Sequence, residues 1–209
     1  MILVGLTGGI ASGKSTVTHF FKTQGAHIVD ADQICHELIL VGNKAYLEVT
    51  DTFGKQILDA DGEINRGKLG HIIFQDAQKR ERLNKILHPL VFEQLKKEQE
   101  RLCAENPQSV LVFDAPLLIE SQAHQWMDWV ILVYVDERTQ KSRLMQGRSF
   151  TEREAQLRIT AQMPLEEKRA FADEIIDNRK PVNEVQSEIC TLYQRLLKKA
   201  VSSKTKIKR

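Results

Sequence analysis

The sequence predicts an α/β fold built on a central parallel sheet, and three observations carry that prediction. The stretch Gly8-Gly9-Ile10-Ala11-Ser12-Gly13-Lys14-Ser15 fits the phosphate-loop pattern G-x-x-x-x-G-K-[ST] in full. It stands between a short apolar run, Ile2 to Thr7, and a segment, Lys14 to Gln24, in which Val17, Phe20 and Phe21 recur at helical spacing. Further along, Ser109 to Asp114 and Val130 to Val135 are near-continuous apolar runs, the pattern of strands buried on both faces of a parallel sheet.

In a strand–loop–helix of this kind, glycines let backbone N–H groups converge on phosphate oxygens, and the helix N-terminus adds positive potential. Lys14 is expected to reach the β and γ phosphates and Ser15 to offer its hydroxyl to Mg²⁺. Gly8, Gly9, Ala11, Ser12, Gly13 and Thr16 complete the expected nucleotide-binding set. The ligand is expected to be a magnesium nucleoside triphosphate. The motif alone does not name the phosphate acceptor.

The 209 residues suit one α/β domain carrying insertions. With 30 basic and 28 acidic residues the net charge is only +2, so no global field marks a nucleic-acid binder, and the basic end Lys204 to Arg209 reads as a solvated tail. Three widely spaced cysteines without a C-x-x-C pair argue against a disulfide framework or a zinc site and fit a reducing compartment. No apolar run approaches the ~18 residues of a membrane span, and no secretory pattern follows Met1. The expectation is a soluble cytoplasmic protein, a monomer or weak homo-oligomer, without membrane or nucleic-acid partner.

Taken in order, Gly25 is expected to stop the first helix, and Ala26 to Asp30 reads as the second strand, delivering Asp30-Ala31-Asp32. Asp30 reads as the N-cap of a helix over Gln33 to Leu40, while Asp32 is a candidate base at the carboxyl end of a parallel strand, where ligands bind. Residues 42–105 read as a helical insertion for the acceptor, with a hairpin over 57–64 turning at Asp61-Gly62 and a new helix opening at Pro89. Arg66, Lys68 and His88 are its candidate contacts, although a lone basic residue is more often exposed or structural.

Asp114 ends the third strand and is a candidate to hold magnesium through water, or else a turn residue. Val130 to Val135 and Glu174 to Asp177 are the fourth and fifth strands, and Val182 to Lys199 an amphipathic closing helix. Between those strands Arg138, Arg143, Arg148, Arg153 and Arg158 recur every five residues, a spacing that cannot make one helical stripe. A break at Gly147 and a capping box of Thr151 with Glu154 divide them into a helix–turn–helix, suited to a lid that neutralises a transferring phosphoryl group or to a solvated charged helix. The expected organisation is a nucleotide-binding core over 1–41, 106–137 and 172–209, the acceptor-binding insertion over 42–105, and the lid over 138–171.

These segments, together with Val29-Asp30-Ala31-Asp32, His88-Pro89-Leu90, Pro116-Leu117-Leu118-Ile119-Glu120, Gln140 with Arg143, Gln162, and Ala172-Asp173 to Asn178, resemble the dephospho-coenzyme A kinase family over nearly the whole chain. The resemblance implies a P-loop kinase fold with a five-stranded parallel sheet, a helical acceptor region and a lid. It implies transfer of the γ-phosphoryl group of ATP to the ribose 3′-hydroxyl of dephospho-coenzyme A, the last step of coenzyme A synthesis. Asp32 then matches the family's base, Lys14 its phosphate lysine, Arg143 a lid arginine and Asn178 a nucleotide contact; where the family often has an arginine this chain has Gly147, so that either Arg148 takes its place in a shifted register or the lid relies on Arg143 and Arg158. A second departure is Lys180, where the family often has glycine. The alternative is another small-molecule, nucleoside or nucleotide kinase of the same fold. A GTPase is disfavoured because Asn178-Arg179-Lys180-Pro181 is no Asn-Lys-x-Asp motif, and only the basic tail suggests a non-catalytic binding module.

Overall fold

Strand β1 (Ile2–Gly8) is buried at every position, because it is the middle of a five-stranded sheet with the order β2-β3-β1-β4-β5. The other strands are β2 (His27–Asp30), β3 (Val110–Asp114), β4 (Trp129–Tyr134) and β5 (Glu174–Asp177). The pairings of β1 with β3, β1 with β4 and β4 with β5 are all parallel. The register sets Leu6 beside Asp114 and Gly8 beside Val133, so the ends of β1 and β3 open at one edge. Because the connection from β1 runs to β2 on one side and that from β3 runs to β4 on the other, that edge is the topological switch point where open α/β sheets bind ligands. This is the P-loop kinase fold.

The computed structural model describes residues 1–148 and 150–202. The basic end Lys204 to Arg209 lies outside the described residues, as do the side chains of Phe74, Arg148 and Ser202. Two compact units emerge, one formed by Met1–Val29 with the chain from Gln99 onward, the other by Asp30–Glu98.

In the first unit, helices α1 (Lys14–Thr23) and α9 (Val182–Ser202) cover the sheet through Val17, Phe21, Val185, Ile189, Leu192 and Leu196. Burial of Phe21 alone contributes about 1.5–3 kcal/mol. Helix α1 ends as the sequence predicts: Gly25 takes φ +100°, its N–H donates to Lys22 O at 3.0 Å, and Ala26 N–H donates to Phe21 O at 3.1 Å, a Schellman closure.

The second unit packs α2 (Ala31–Leu38), α3 (Tyr46–Phe53), α4 (Arg66–Gln75) and the N-terminal part of α5 (Ala77–Glu105) around Ile39, Val49, Phe53, Ile57, Leu83, Ile86 and Leu87. Two expectations fail here. The hairpin over 57–64 reduces to a single antiparallel bridge between Leu58 and Ile64, since Ile57 sits in a 3₁₀ turn and too few residues remain for a ladder. Pro89 does not open a helix but lies inside α5. An interior proline loses one backbone donor and crowds the preceding turn, at a cost of about 3 kcal/mol, and the flanking Leu83, Ile86, Leu87 and Val91 offset it by keeping one buried stripe through it.

Helices α6 (Glu137–Arg148), α7 (Glu152–Thr160) and α8 (Leu165–Lys168) join β4 to β5. The expected break near Gly147 forms one residue on, for α6 ends at Arg148 and α7 opens at Glu152. Gly147 weakens that last turn by about 1 kcal/mol relative to alanine. The capping box does form: Glu154 N–H donates to Thr151 Oγ1 at 3.3 Å and Thr151 N–H to Glu154 Oε2 at 2.8 Å.

Candidate active site

The loop after β1 is built on two left-handed residues, Ala11 at φ +58° and Gly13 at φ +84°. Glycine at position 13 is required twice over, by that φ and because a Cβ would lie 2.1 Å from Asn178 Nδ2. Ala11 holds an unfavourable conformation costing of order 1–3 kcal/mol, sustained by the contacts around it.

Those contacts act on the outer, carbonyl side of the loop. Gln140 Nε2 donates to Ile10 O at 2.7 Å while Gln162 Oε1 accepts from Ile10 N–H at 2.8 Å. Arg143 donates to the carbonyls of Ala11 and Ser12, both at 3.2 Å, and to Asn178 O at 2.8 Å; Asn178 Nδ2 donates to Ser12 O at 2.7 Å. A loop that turns its N–H groups toward a phosphate must turn its carbonyls away from it, and buried carbonyls need donors. Gln140, Arg143 and Asn178 supply them, while Gln162 takes the Ile10 N–H. Arg143, read from sequence as a lid arginine, therefore sits as a clamp on the phosphate loop.

Asn178 is itself fixed by its N–H, which donates to Tyr134 O at 2.9 Å, and by an ion cluster at the ends of β4 and β5. There Arg179 pairs with Asp177 at 2.6 Å and Asp136 at 3.2 Å, which hold its guanidinium pKa above the ordinary value. Arg169 and Arg179 also flank the Tyr134 ring, whose hydroxyl donates to Glu166, a bond that pushes the phenol pKa up.

At the inner side, Lys14 Nζ forms an ion pair with Asp114 Oδ1, and Thr18 Oγ1 donates to Asp114 Oδ2 at 2.6 Å. The Asp114 carboxylate is thereby held between the first turn of α1 and the end of β3. Ser15 and Thr16 are exposed on that same first turn. Ser12 is buried, and its hydroxyl has no hydrogen-bond partner among the described residues.

Behind Asp114 stands a residue that sequence reading missed. Lys168 is fully buried, ion-paired to Glu120 at 2.9 Å and donating to Pro116 O at 2.8 Å. Burial pulls its pKa down, against the opposing pull of Glu120. In the segment Leu165-Glu166-Glu167-Lys168 nothing distinguishes a buried lysine from a solvated one. Thr18 was equally unmarked, although its place one turn after Lys14 is a usable signal.

The remaining lid candidates are dispersed. The Arg158 guanidinium stacks on the Phe150 ring at 3.9 Å, and Arg138 and Arg153 are exposed. Arg148 closes α6, its side chain outside the described residues.

In the second unit, Asp30 caps α2 by accepting from Gln33 N–H at 3.0 Å, and Asp32 lies exposed in the first turn of that helix. Their carboxylates, together with burial as the largest cause, raise the Cys35 thiol pKa to about 11. Lys68 pairs with Asp59 at 3.0 Å and donates to Leu58 O at 2.6 Å, a structural engagement, whereas Arg66 is exposed. His88 is half-buried, which lowers its pKa and favours the neutral ring.

The sequence profile of the family described as dephospho-CoA kinase matches residues 2–184. A dephospho-CoA kinase of Bacillus cereus is 44% identical over 188 residues, covering 90% of this chain and 94% of that protein. Among solved structures, a dephospho-CoA kinase from Campylobacter jejuni superposes with a TM-score of 0.69 at 26% identity, over 94% of this chain and 98% of that one. A Thermus thermophilus protein superposes with a TM-score of 0.79 at 27% identity, over 93% of this chain and 97% of that one.

Proposed function

The chain belongs to the dephospho-CoA kinase family, and from that premise we infer that it transfers the γ-phosphoryl group of ATP to the ribose 3′-hydroxyl of dephospho-coenzyme A, yielding coenzyme A. The observation that supports the reading from the structure is the clamped phosphate loop, in which Gly13 has no room for a side chain and Lys14 meets Asp114 at the mouth of the sheet.

In this reading the N–H groups of Gly8, Gly9, Ala11, Ser12, Gly13, Lys14, Ser15 and Thr16 cradle the phosphates at the α1 N-terminus. Lys14 leaves Asp114 for the γ-phosphoryl group and follows its charge into the transition state. The donor set suits magnesium: one hydroxyl, Ser15, and one carboxylate, Asp114, leave the remaining positions to phosphate and water, as that ion prefers. When bound, Mg²⁺ would neutralise charge on the β and γ phosphates. Among the described residues no group of three or more His, Cys, Asp or Glu stands together as an all-protein cage.

Arg143 and Asn178 serve the nucleotide by holding the loop, and Arg148 is the arginine left to act from the lid. Asp32 is the base that orients and deprotonates the attacking hydroxyl, a role carried over from the family's pattern. Residues 42–105 form the acceptor-binding insertion and 138–171 the lid. Among the described residues no helix is long and apolar enough to cross a membrane. We take the enzyme to work in the cytoplasm as a monomer or weak homo-oligomer, without nucleic acid.

The test is incubation with Mg·ATP and a panel of acceptors (dephospho-coenzyme A, nucleosides, nucleoside monophosphates and small alcohols), with mass spectrometry of the products. Coenzyme A phosphorylated at the 3′-oxygen is expected. A product phosphorylated elsewhere, or transfer only to another acceptor, refutes the reading.

A further inference from the structure

We propose that Lys168 is a positioning residue for phosphoryl transfer, holding the turn after β3 so that Asp114 meets Lys14 and Thr18 in a working geometry. The inference deepens the kinase reading above and rests on it.

The argument begins with what stability alone does not explain. The Lys168 side chain is fully buried, and Glu120, its partner, is only 23% exposed. A buried ion pair commonly gives no stability advantage over well-packed apolar residues of the same volume. A methionine or leucine would fill this place without desolvating an ammonium group.

What the ammonium does, and an apolar chain could not, is donate hydrogen bonds in fixed directions. One goes to Pro116 O at 2.8 Å, a carbonyl that also accepts from Thr7 Oγ1 at 3.1 Å. The other goes to Glu120 Oε1 at 2.9 Å, the oxygen that accepts from Met163 N–H at 3.1 Å. Pro116 is two residues past Asp114, and between them Ala115 N–H continues the β1–β3 ladder by donating to Leu6 O at 3.0 Å. The turn is therefore tied from both sides: by Thr7 of β1, just before the phosphate loop, and by Lys168 of α8. Its first residue carries the carboxylate that faces Lys14.

The carbonyl clamps on the phosphate loop, Gln140, Arg143 and Asn178, do not involve Lys168. Loss of Lys168 should therefore spare ATP binding and disturb the groups that act on the transferring phosphoryl. A displacement of about 1 Å at such groups costs on the order of 10²-fold in rate.

The experiment compares wild type, Lys168→Met, and Lys168→Met combined with Glu120→Met, measuring kcat, the KM for Mg·ATP and Tm with dephospho-coenzyme A as acceptor. Lys168→Met is expected to lower kcat about 10- to 100-fold with KM for ATP within about threefold, and to lower Tm because Glu120 loses its partner. The double variant is expected to regain Tm while kcat stays low. Recovery of kcat together with Tm, or a kcat near wild type in either folded variant, overturns the proposal. Should neither variant fold, Thr7→Val removes the second donor on Pro116 O at almost constant shape. It must then lower kcat by about 3- to 10-fold with Tm intact, and an unchanged kcat overturns the proposal. Wild-type protein that leaves dephospho-coenzyme A unphosphorylated refutes the kinase reading instead, whatever the variants do.

Discussion

Asn178 fills the space that any side chain at position 13 would need: its Nδ2 donates to Ser12 O at 2.7 Å and would lie 2.1 Å from a Cβ on Gly13. Two consequences follow for the loop. Gly13→Ala must displace Asn178 as well as strain a left-handed backbone, so it is expected to lose ATP binding. Asn178→Ala removes one donor, worth about 0.5–1.5 kcal/mol, and should raise the KM for ATP about 3- to 10-fold with kcat little changed. Steady-state kinetics on both variants decide this; a kcat defect in Asn178→Ala with normal KM contradicts a purely loop-holding role.

Arg143 and Arg148 are expected to separate cleanly. Arg143→Ala takes the guanidinium donors from the carbonyls of Ala11 and Asn178 and leaves Ser12 O with Asn178 alone, so both Tm and ATP affinity should fall with kcat/KM. Arg148→Ala should leave Tm and ATP binding near wild type and lower kcat, the mark of an interaction made only in the transition state. An Arg148→Ala enzyme with full kcat assigns the lid role elsewhere.

Asp32→Asn tests the base. General-base catalysis contributes about 10²- to 10⁴-fold, so kcat should drop within that range. Asp32 is exposed, and Asp30 rather than Asp32 caps α2, so thermal stability and ATP binding should barely change. A kcat within a few-fold of wild type across pH removes Asp32 from the chemistry.

The Cys35 thiol gives a pH dependence with a definite sign. Its pKa is raised by the fold to about 11 from 9.0, so the folded state holds this proton more tightly than the unfolded chain. The associated stability is fully present below pH 9 and is lost as pH rises through about 11. Denaturation midpoints should fall over that window in wild type and less steeply in Cys35→Ala. At pH 8, thiol labelling should be slow at Cys35 and fast at exposed Cys190, and Cys190→Ser should abolish the fast phase.

Much of the fold was legible in the sequence because its determinants are local. The phosphate loop is a contiguous pattern whose glycines answer backbone demands at that very place, as φ +84° at Gly13 shows. Apolar runs such as Val110 to Phe113 and Ile131 to Val133 announce parallel strands, since both faces of a central strand must be buried. The Thr151–Glu154 box and the Gly25 closure are likewise settled within a few residues.

Punctuation misled where tertiary packing overrode it. Pro89 costs its helix about 3 kcal/mol, yet the buried stripe of Leu83, Ile86, Leu87 and Val91 carries α5 through it.

The sequence by itself determined that this chain carries a phosphate-binding loop on a parallel sheet, because those features depend on neighbours in the chain and on the two-sided burial of short apolar runs. Only the tertiary structure decided that Arg143 clamps carbonyls more than 130 residues away, that Thr18 shares Asp114 with Lys14, and that Lys168 alone among four charge-rich neighbours is sealed from water. Charged side chains read alike in sequence wherever they point. Their roles are set by which distant carbonyl or carboxylate the fold brings within hydrogen-bond reach, and how little water it leaves there to compete.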